Sequence, residues 1–205
     1  MATPIVRHYE ILKRCVRYLI YRPELEYGYE RQKMPKEMTI YSDTDWAGCP
    51  LTRKSASGTL VMHGNHIIFT QSSTQAKIAL SSGEAEFYGC VKAASRALGV
   101  RQLAADMGIV SYTGDGSDAY SPLPIRLYTD SISAMGTACK RGAGKIRHIE
   151  IGSLWLQQVV ADKKIRMAKI DGKKNPPDIL TKFGERAMLD KVSTRLGLSY
   201  PRQST

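Results

Sequence analysis

Thr39-Ile40-Tyr41-Ser42-Asp43-Thr44-Asp45-Trp46-Ala47-Gly48 is the stretch on which the fold of this chain turns. Thr39, Ile40 and Tyr41 are strand-formers, whereas Asp is depleted from strand interiors. An aspartate at the end of such a run either shapes a turn by bonding its own backbone or is a charge held in place for chemistry. A second copy of the pattern, Leu127-Tyr128-Thr129-Asp130-Ser131, favours the chemistry. Two strands that end in Tyr, a hydroxyl residue and Asp would bring two carboxylates to one edge of a sheet.

The flanking segments supply the rest of that sheet. Met38 to Asp43, Gly58 to His63 and His66 to Thr70 read as strands, the last two joined by a Gly64-Asn65 turn. Ser81-Ser82-Gly83-Glu84 opens a long helix that runs to Met107 and stops at Gly108. Pro124 to Thr129 is a fourth strand and Ser131 to Ala138 a short helix. Ile149 to Ala161 reads as an amphipathic helix, Ile165 to Ile170 as the fifth strand. A last helix starts at Asp178 and breaks at Phe183-Gly184. A meander followed by alternating units implies an α/β fold: a mixed five-stranded sheet with helices on both faces. In such sheets the reactive crevice lies at the strand ends.

Upstream, Ile5, Tyr9, Leu12, Val16 and Leu19 recur at helical spacing. Pro23 ends that helix, Leu25 to Tyr29 suits a short strand, and residues 32–37 form a polar linker. The expected division is an N-terminal helix and linker over 1–37, the main domain over 38–198, and a frayed tail over 199–205.

The chain has 205 residues, 42% of them hydrophobic and 24% charged, enough for a packed core and too apolar for global disorder. Thirty Lys and Arg against nineteen Asp and Glu leave a net charge of +11, which favours a polyanionic partner, nucleic acid first. Cys15, Cys49, Cys90 and Cys139 are scattered, without Cys-x-x-Cys or a His/Cys cluster, which argues against zinc and for reduced intracellular thiols. No cleavable signal peptide is evident, and no apolar run approaches the roughly 20 residues a membrane span needs. An intracellular protein without membrane contact or small-molecule cofactor is expected.

Four carboxylates fall at element ends: Asp43, Glu84, Asp130 and Asp178, spaced by 41, 46 and 48 residues. Each has a structural explanation of its own. Glu84 follows Ser81 by three and suits a capping box, Asp130 suits an N-cap, and Asp178 favours a helix dipole. Together they suit two hard divalent ions, Mg²⁺ or Mn²⁺. Two such ions about 4 Å apart activate a water and stabilise the leaving oxygen of a phosphodiester.

Five motifs in order then resemble the ribonuclease H domain of copia-type retrotransposon Pol polyproteins. They are Tyr41 to Gly48 with Thr52-Arg53-Lys54-Ser55-Ala56-Ser57-Gly58, Ala79 to Phe87, Tyr128-Thr129-Asp130-Ser131, Arg147-His148-Ile149-Glu150, and Asp178-Ile179-Leu180-Thr181-Lys182. The match covers residues 38 to 184, and residues 8 to 29 resemble the segment that joins reverse transcriptase to this domain. The resemblance implies a ribonuclease H-like fold with Asp43, Glu84, Asp130 and Asp178 as the catalytic, metal-holding tetrad. It prefers Asp43 to Asp45 and Glu84 to Glu86. The two glutamates are separated by about 200° around a helix, so only one can face the sheet edge.

Gly83 departs from the family's usual Thr, and Pro176-Pro177 before Asp178 is unusual. The loop Asp171-Gly172-Lys173-Lys174-Asn175 lacks the mobile His of cellular ribonucleases H. His148 belongs to another element and is expected to pack or to contact phosphate. Trp46 and Trp155 are expected in the core. No Tyr-x-Asp-Asp polymerase motif is present.

The resemblance implies an endonuclease that hydrolyses the RNA strand of RNA–DNA hybrids with two Mg²⁺ ions, Mn²⁺ serving as substitute. Its partner would be the reverse transcriptase domain of the same polyprotein, in a cytoplasmic virus-like particle or the nucleus. A hybrid is read mostly through backbone shape and 2′-hydroxyls. Arg53, Lys54, Ser55, Ser57, Lys145, Arg147, Lys173 and Lys174 are the expected contacts. The alternative is a catalytically inactive module of the same fold that binds nucleic acid or plays a structural part.

Overall fold

Alternation along the first long strand sets the core face. Met38 and Ile40 are buried while Thr39 and Tyr41, pointing the other way, are half-buried. The structure, a computed structural model, describes residues 4–21, 23–112, 120–142, 148–149, 151–182 and 186–199. In chain order its elements are α1 (Val6–Tyr21), β1 (Glu26–Tyr27), β2 (Met38–Asp45), β3 (Ala56–His63), β4 (His66–Thr74) and α2 (Ser82–Asp106). They continue with β5 (Val110–Tyr112), β6 (Tyr120–Pro122), β7 (Ile125–Thr129), α3 (Ile132–Ala138) and, after a 3-10 turn at Ile151–Leu154, α4 (Trp155–Ala161). The chain closes with β8 (Ile165–Lys169), a 3-10 turn at Gly172–Lys174, α5 (Asp178–Thr181), α6 (Arg186–Arg195) and β9 (Leu198–Ser199).

The five main strands lie in the order β4-β3-β2-β7-β8. β2, β3 and β4 form the antiparallel meander, and β7 and β8 add on parallel to β2. This is the mixed five-stranded sheet expected of a ribonuclease H-like fold.

α2 crosses β2, β3 and β7, and α3 and α4 pack beside it. It lies close to the sheet because its buried face is made largely of small residues, Ala85, Gly89, Ala93, Ala94 and Ala97, around the one large anchor Phe87. Burying such a phenylalanine contributes about 2 kcal/mol. Ser81 caps the helix, accepting the Glu84 N–H on its hydroxyl at 3.2 Å. On the opposite face of the sheet the Tyr41 and Tyr128 rings stack at 5.2 Å, and Arg195 of α6 acts electrostatically on the Tyr41 hydroxyl.

The segment after α1 and the C-terminal β9 are tied to this sheet. β1 pairs with β9, the Tyr27 hydroxyl accepts the Ile67 N–H, and Gln32 donates to the His63 carbonyl at 2.9 Å. α1 buries none of its residues.

Several expectations are adjusted. The expected helix from Ile149 begins as a 3-10 turn and becomes α4 only at Trp155, because Gly152 weakens the first turn and no side chain caps it. The short polar ribbon β5–β6 lies where a loop was expected. Neither tryptophan is a core residue: Trp46 is 54% exposed and Trp155 39%. Trp46 follows the last residue of β2, where its indole N–H donates to the Ala79 carbonyl at 3.2 Å and its ring stays outside. The break at Phe183-Gly184 and most of the tail lie outside the described residues.

Candidate active site

Parallel pairing of β2 with β7 aligns Asp43, two residues before the end of β2, with Asp130, one residue past β7. Tyr41 pairs with Tyr128, so two residues further on each strand reaches Asp43 and Asp130. The helix lying over both strands adds a third carboxylate, and it comes from Glu86. Ligand atoms of Asp43, Glu86 and Asp130 all lie within 4.8 Å of one another.

Glu84, the glutamate the resemblance preferred, faces elsewhere. It is 2% exposed. Its Oε2 accepts the Leu80 N–H at 2.9 Å and lies 2.9 Å from His148 Nε2. The half-turn between the two glutamates leaves room for only one at the sheet edge, and the fold gives that place to Glu86. Glu84 and Ser81 serve the start of α2 instead, the structural role its position after Ser81 already allowed.

The electrostatics of the cluster follow from crowding. Burial pushes the Glu86 carboxyl up to about 8, with the charges of Asp43 and Asp130 adding to the rise and a Thr44 N–H opposing it. Burial also raises Asp43, against the Thr181 hydroxyl and the Lys182 ammonium, which lower it; Asp178 and Asp130 add repulsion. Burial alone would raise Glu84, but hydrogen bonds from His148, the Leu80 N–H and Tyr88 outweigh it and hold that carboxyl below its usual range.

Asp178 stands at the margin of the cluster. Its charge acts on Asp43, but its Oδ1 pairs with the Lys182 ammonium one helical turn on. α5 nonetheless reaches into the site through Thr181, whose hydroxyl donates to Asp43 Oδ2 at 2.5 Å. Asn175 Nδ2 donates to the Ser42 carbonyl at 2.9 Å and reaches Asp43 Oδ1 at 3.4 Å. Neither Thr181 nor Asn175 was singled out from sequence, although Thr181 lies inside a matched motif.

Two glycines permit the approach. A Cβ on Gly58, which pairs with Asp43 across β2 and β3, would stand 2.8 Å from the Pro177 carbonyl and 3.0 Å from Leu180 Cβ. A Cβ on Gly172 would stand 2.8 Å from Asp130 Oδ2.

The cluster's chemistry suits a hard cation. Three oxygen-only ligands converge, Glu86 Oε2 is buried without any hydrogen-bond partner, and a proton held near neutral pH marks charge awaiting compensation.

Of the expected nucleic-acid contacts, Arg53 is exposed, Lys54 is half-buried, and Lys173 and Lys174 are exposed on the turn whose Gly172 touches Asp130. Lys145 and Arg147 lie outside the described residues. Ser55 and Ser57 are corrected: both are buried and used internally. Ser55 Oγ accepts the Ala47 N–H at 3.0 Å, and Ser57 Oγ accepts from Gln75 Nε2 at 2.8 Å beneath α2. Ser57 points to the face of β3 that α2 covers, and Ser55, one residue before the strand, turns inward to the Ala47 N–H.

No family model matches the chain. It is similar to the retrovirus-related Pol polyprotein from transposon TNT 1-94 of Nicotiana tabacum, 26% identical over 159 residues, covering 77% of this chain and 11% of that protein. It is also similar to the Pol polyprotein from transposon RE2 of Arabidopsis thaliana, 26% identical over 201 residues, 97% of this chain and 13% of that one. Among solved structures it resembles the N-terminal RNase H domain of Rv2228c from Mycobacterium tuberculosis, with a TM-score of 0.47, 14% identity, and coverage of 77% of this chain and 96% of that one. These two relatives are Pol polyproteins of plant transposons, and the chain spans little more than a tenth of their length.

Proposed function

We propose that this chain is a ribonuclease H that hydrolyses the RNA strand of RNA–DNA hybrids during retrotransposon reverse transcription, beside the reverse transcriptase domain of its polyprotein. The observation that carries the reading is the convergence of Asp43, Glu86 and Asp130 at one sheet edge of a strongly basic chain. A protein that only binds a polyanion gains nothing from three acids in its crevice.

Asp43, Glu86 and Asp130 would hold the cations, with Asp178 joining them once Lys182 lets go. Bound Mg²⁺, or Mn²⁺ in its place, supplies activation of the attacking water and stabilisation of the leaving oxygen. In the hydrolysis a P–O bond to water forms as the P–O3′ bond breaks, leaving a 3′-hydroxyl and a 5′-phosphate.

The remaining work falls to the chain itself. Lys173 and Lys174 sit next to the Asp130 side of the site and Arg53 and Lys54 next to the end of β2, so phosphates are drawn to both sides of the acids. Glu86 keeps a proton at neutral pH until positive charge arrives. The Asp43 carboxylate is kept in a fixed direction by its neighbours on the Asn175–Lys182 segment.

Cleavage of a hybrid labelled on its RNA strand, in Mg²⁺ and beside an Asp130→Asn control, tests the reading. RNA cut by the wild type, with the variant silent and duplex DNA spared, supports it. A hybrid bound but left whole in both Mg²⁺ and Mn²⁺ returns the chain to the inactive module.

A further inference from the structure

Asp43 is gripped by a segment far from it in sequence. Thr181 and Asn175 lie 138 and 132 residues further along the chain, and between them they reach both of its carboxylate oxygens. The Thr181 hydroxyl has one hydrogen and two acceptors in range, Asp43 Oδ2 at 2.5 Å and the Asp178 carbonyl at 3.1 Å. The shorter, charge-assisted contact takes it. Asn175 is 4% exposed. Its amide carries two hydrogens, one for the Ser42 carbonyl and one for Asp43 Oδ1.

The gripping segment is itself fixed. Ser72 Oγ donates to the Leu180 carbonyl at 2.5 Å, tying α5 to β4. Gly58 lets α5 sit directly on β3, where the Thr181 methyl carbon would lie 3.1 Å from any added Cβ. Thr181 therefore plays two parts: its methyl packs over Gly58 and its hydroxyl meets the acid.

We propose that Thr181 and Asn175 are positioning residues for Asp43, holding its carboxylate so that its free lone pairs face Glu86 and Asp130. This rests on the reading of the cluster as a cation site. Partners of this kind, acting on a ligand rather than on the ion, commonly set affinity by a factor of about 10–100. Without them Asp43 is free to rotate toward solvent or to take up a proton.

The test uses the full chain and Mn²⁺ binding measured by calorimetry, with kcat and KM for hybrid cleavage alongside. Thr181→Val keeps shape and methyl and removes the hydrogen bond, while Thr181→Ser keeps the bond and removes the methyl. The expected result is Mn²⁺ binding weakened about tenfold or more in Thr181→Val, a lower kcat at unchanged KM for hybrid, and near-wild-type behaviour in Thr181→Ser. Asn175→Ala is expected to weaken Mn²⁺ in the same direction. Equal Mn²⁺ affinity in wild type and Thr181→Val overturns the positioning role. If Thr181→Val loses its folded circular-dichroism signal, Thr181→Ala against Thr181→Ser decides by the same comparison. Wild type that binds Mn²⁺ but cuts no hybrid sinks the nuclease reading and leaves the positioning role to be judged on Mn²⁺ alone. Wild type without saturable Mn²⁺ binding overturns both.

Discussion

Glu84 Oε2 lies 2.9 Å from His148 Nε2, so the buried glutamate at the head of α2 fastens that helix to the start of the segment leading into α4. Glu86, two residues along, faces Asp43 and Asp130. The two glutamates should therefore fail differently. Glu84→Gln is expected to lower stability by about 2 kcal/mol, the range for a hydrogen bond to a charged group, with hybrid cleavage retained. Glu86→Gln is expected to stay folded and abolish cleavage. Urea melts and RNA-strand cleavage on both variants check this, and the opposite pattern would return the site to Glu84.

Stability of the cation-free protein should fall as pH rises from about 4.5 to about 8. Glu86 ionises near 4.3 when unfolded but is held up to about 8 in the fold. Across that window the folded state keeps a proton that the unfolded chain has lost, so each step up in pH penalises folding. The slope from this one group is at most about 1.4 kcal/mol per pH unit, and it levels off above the folded value. Denaturant midpoints taken in chelator between pH 4.5 and 8.5 should show the decline, and Glu86→Gln should flatten it. A wild-type curve parallel to that of the variant would contradict the crowding of Glu86 by its neighbours.

Lys173 and Lys174 present charge beside Asp130 without belonging to the acid cluster. Their joint replacement by Ala should weaken hybrid binding at low salt and reduce the salt slope by about one for each phosphate no longer neutralised. Ser55→Ala and Ser57→Ala should leave that slope alone and act on stability instead, since both hydroxyls are buried within the protein. Filter binding across a salt series separates the two pairs.

Gly58→Ala places a methyl group 2.8 Å from the Pro177 carbonyl and 3.0 Å from Leu180 Cβ. Backbone on one side leaves little room to yield, so α5 must lift. A cost of about 1–3 kcal/mol is expected, together with loss of cleavage out of proportion to the fraction unfolded, because Thr181 leaves Asp43 when α5 moves. Thermal melts paired with activity per folded molecule measure both effects. Full activity in a folded Gly58→Ala protein would show that α5 does not matter to the acids.

The mixed sheet was legible in the sequence because its strands are strongly patterned and a meander is joined to alternating units, while the strand order itself comes from the structure. Asp43 and Asp130 were legible because each follows a Tyr and a hydroxyl residue near the end of a strand, although β2 runs on to Asp45. The choice between Glu84 and Glu86 was not. Both lie in the first turns of one helix, and which faces the sheet depends on how α2 rotates to bury Phe87 and Cys90. Ser55 and Ser57 look like surface hydroxyls beside Arg53 and Lys54, yet β3 turns Ser57 under α2 and the Ala47 N–H holds Ser55 inward. Trp46 was misplaced by its size, since a large ring on a strand usually means core, and here the strand ends one residue before it. Asn175 and Thr181 carry no charge and no periodicity, and only their bonds across more than 130 residues reveal them.

That separation has a consequence for the order in which the protein is made. A growing polypeptide presents Asp43, Glu86 and Asp130 in turn, and all three have left the ribosome before Asn175 and Thr181 are linked to it. A nascent chain thus carries the acids before it has any grip on the first of them. The site therefore cannot be complete until the Asn175–Lys182 segment has been synthesised and has docked on β3, and a fragment that stops short of it carries the acids without their clasp.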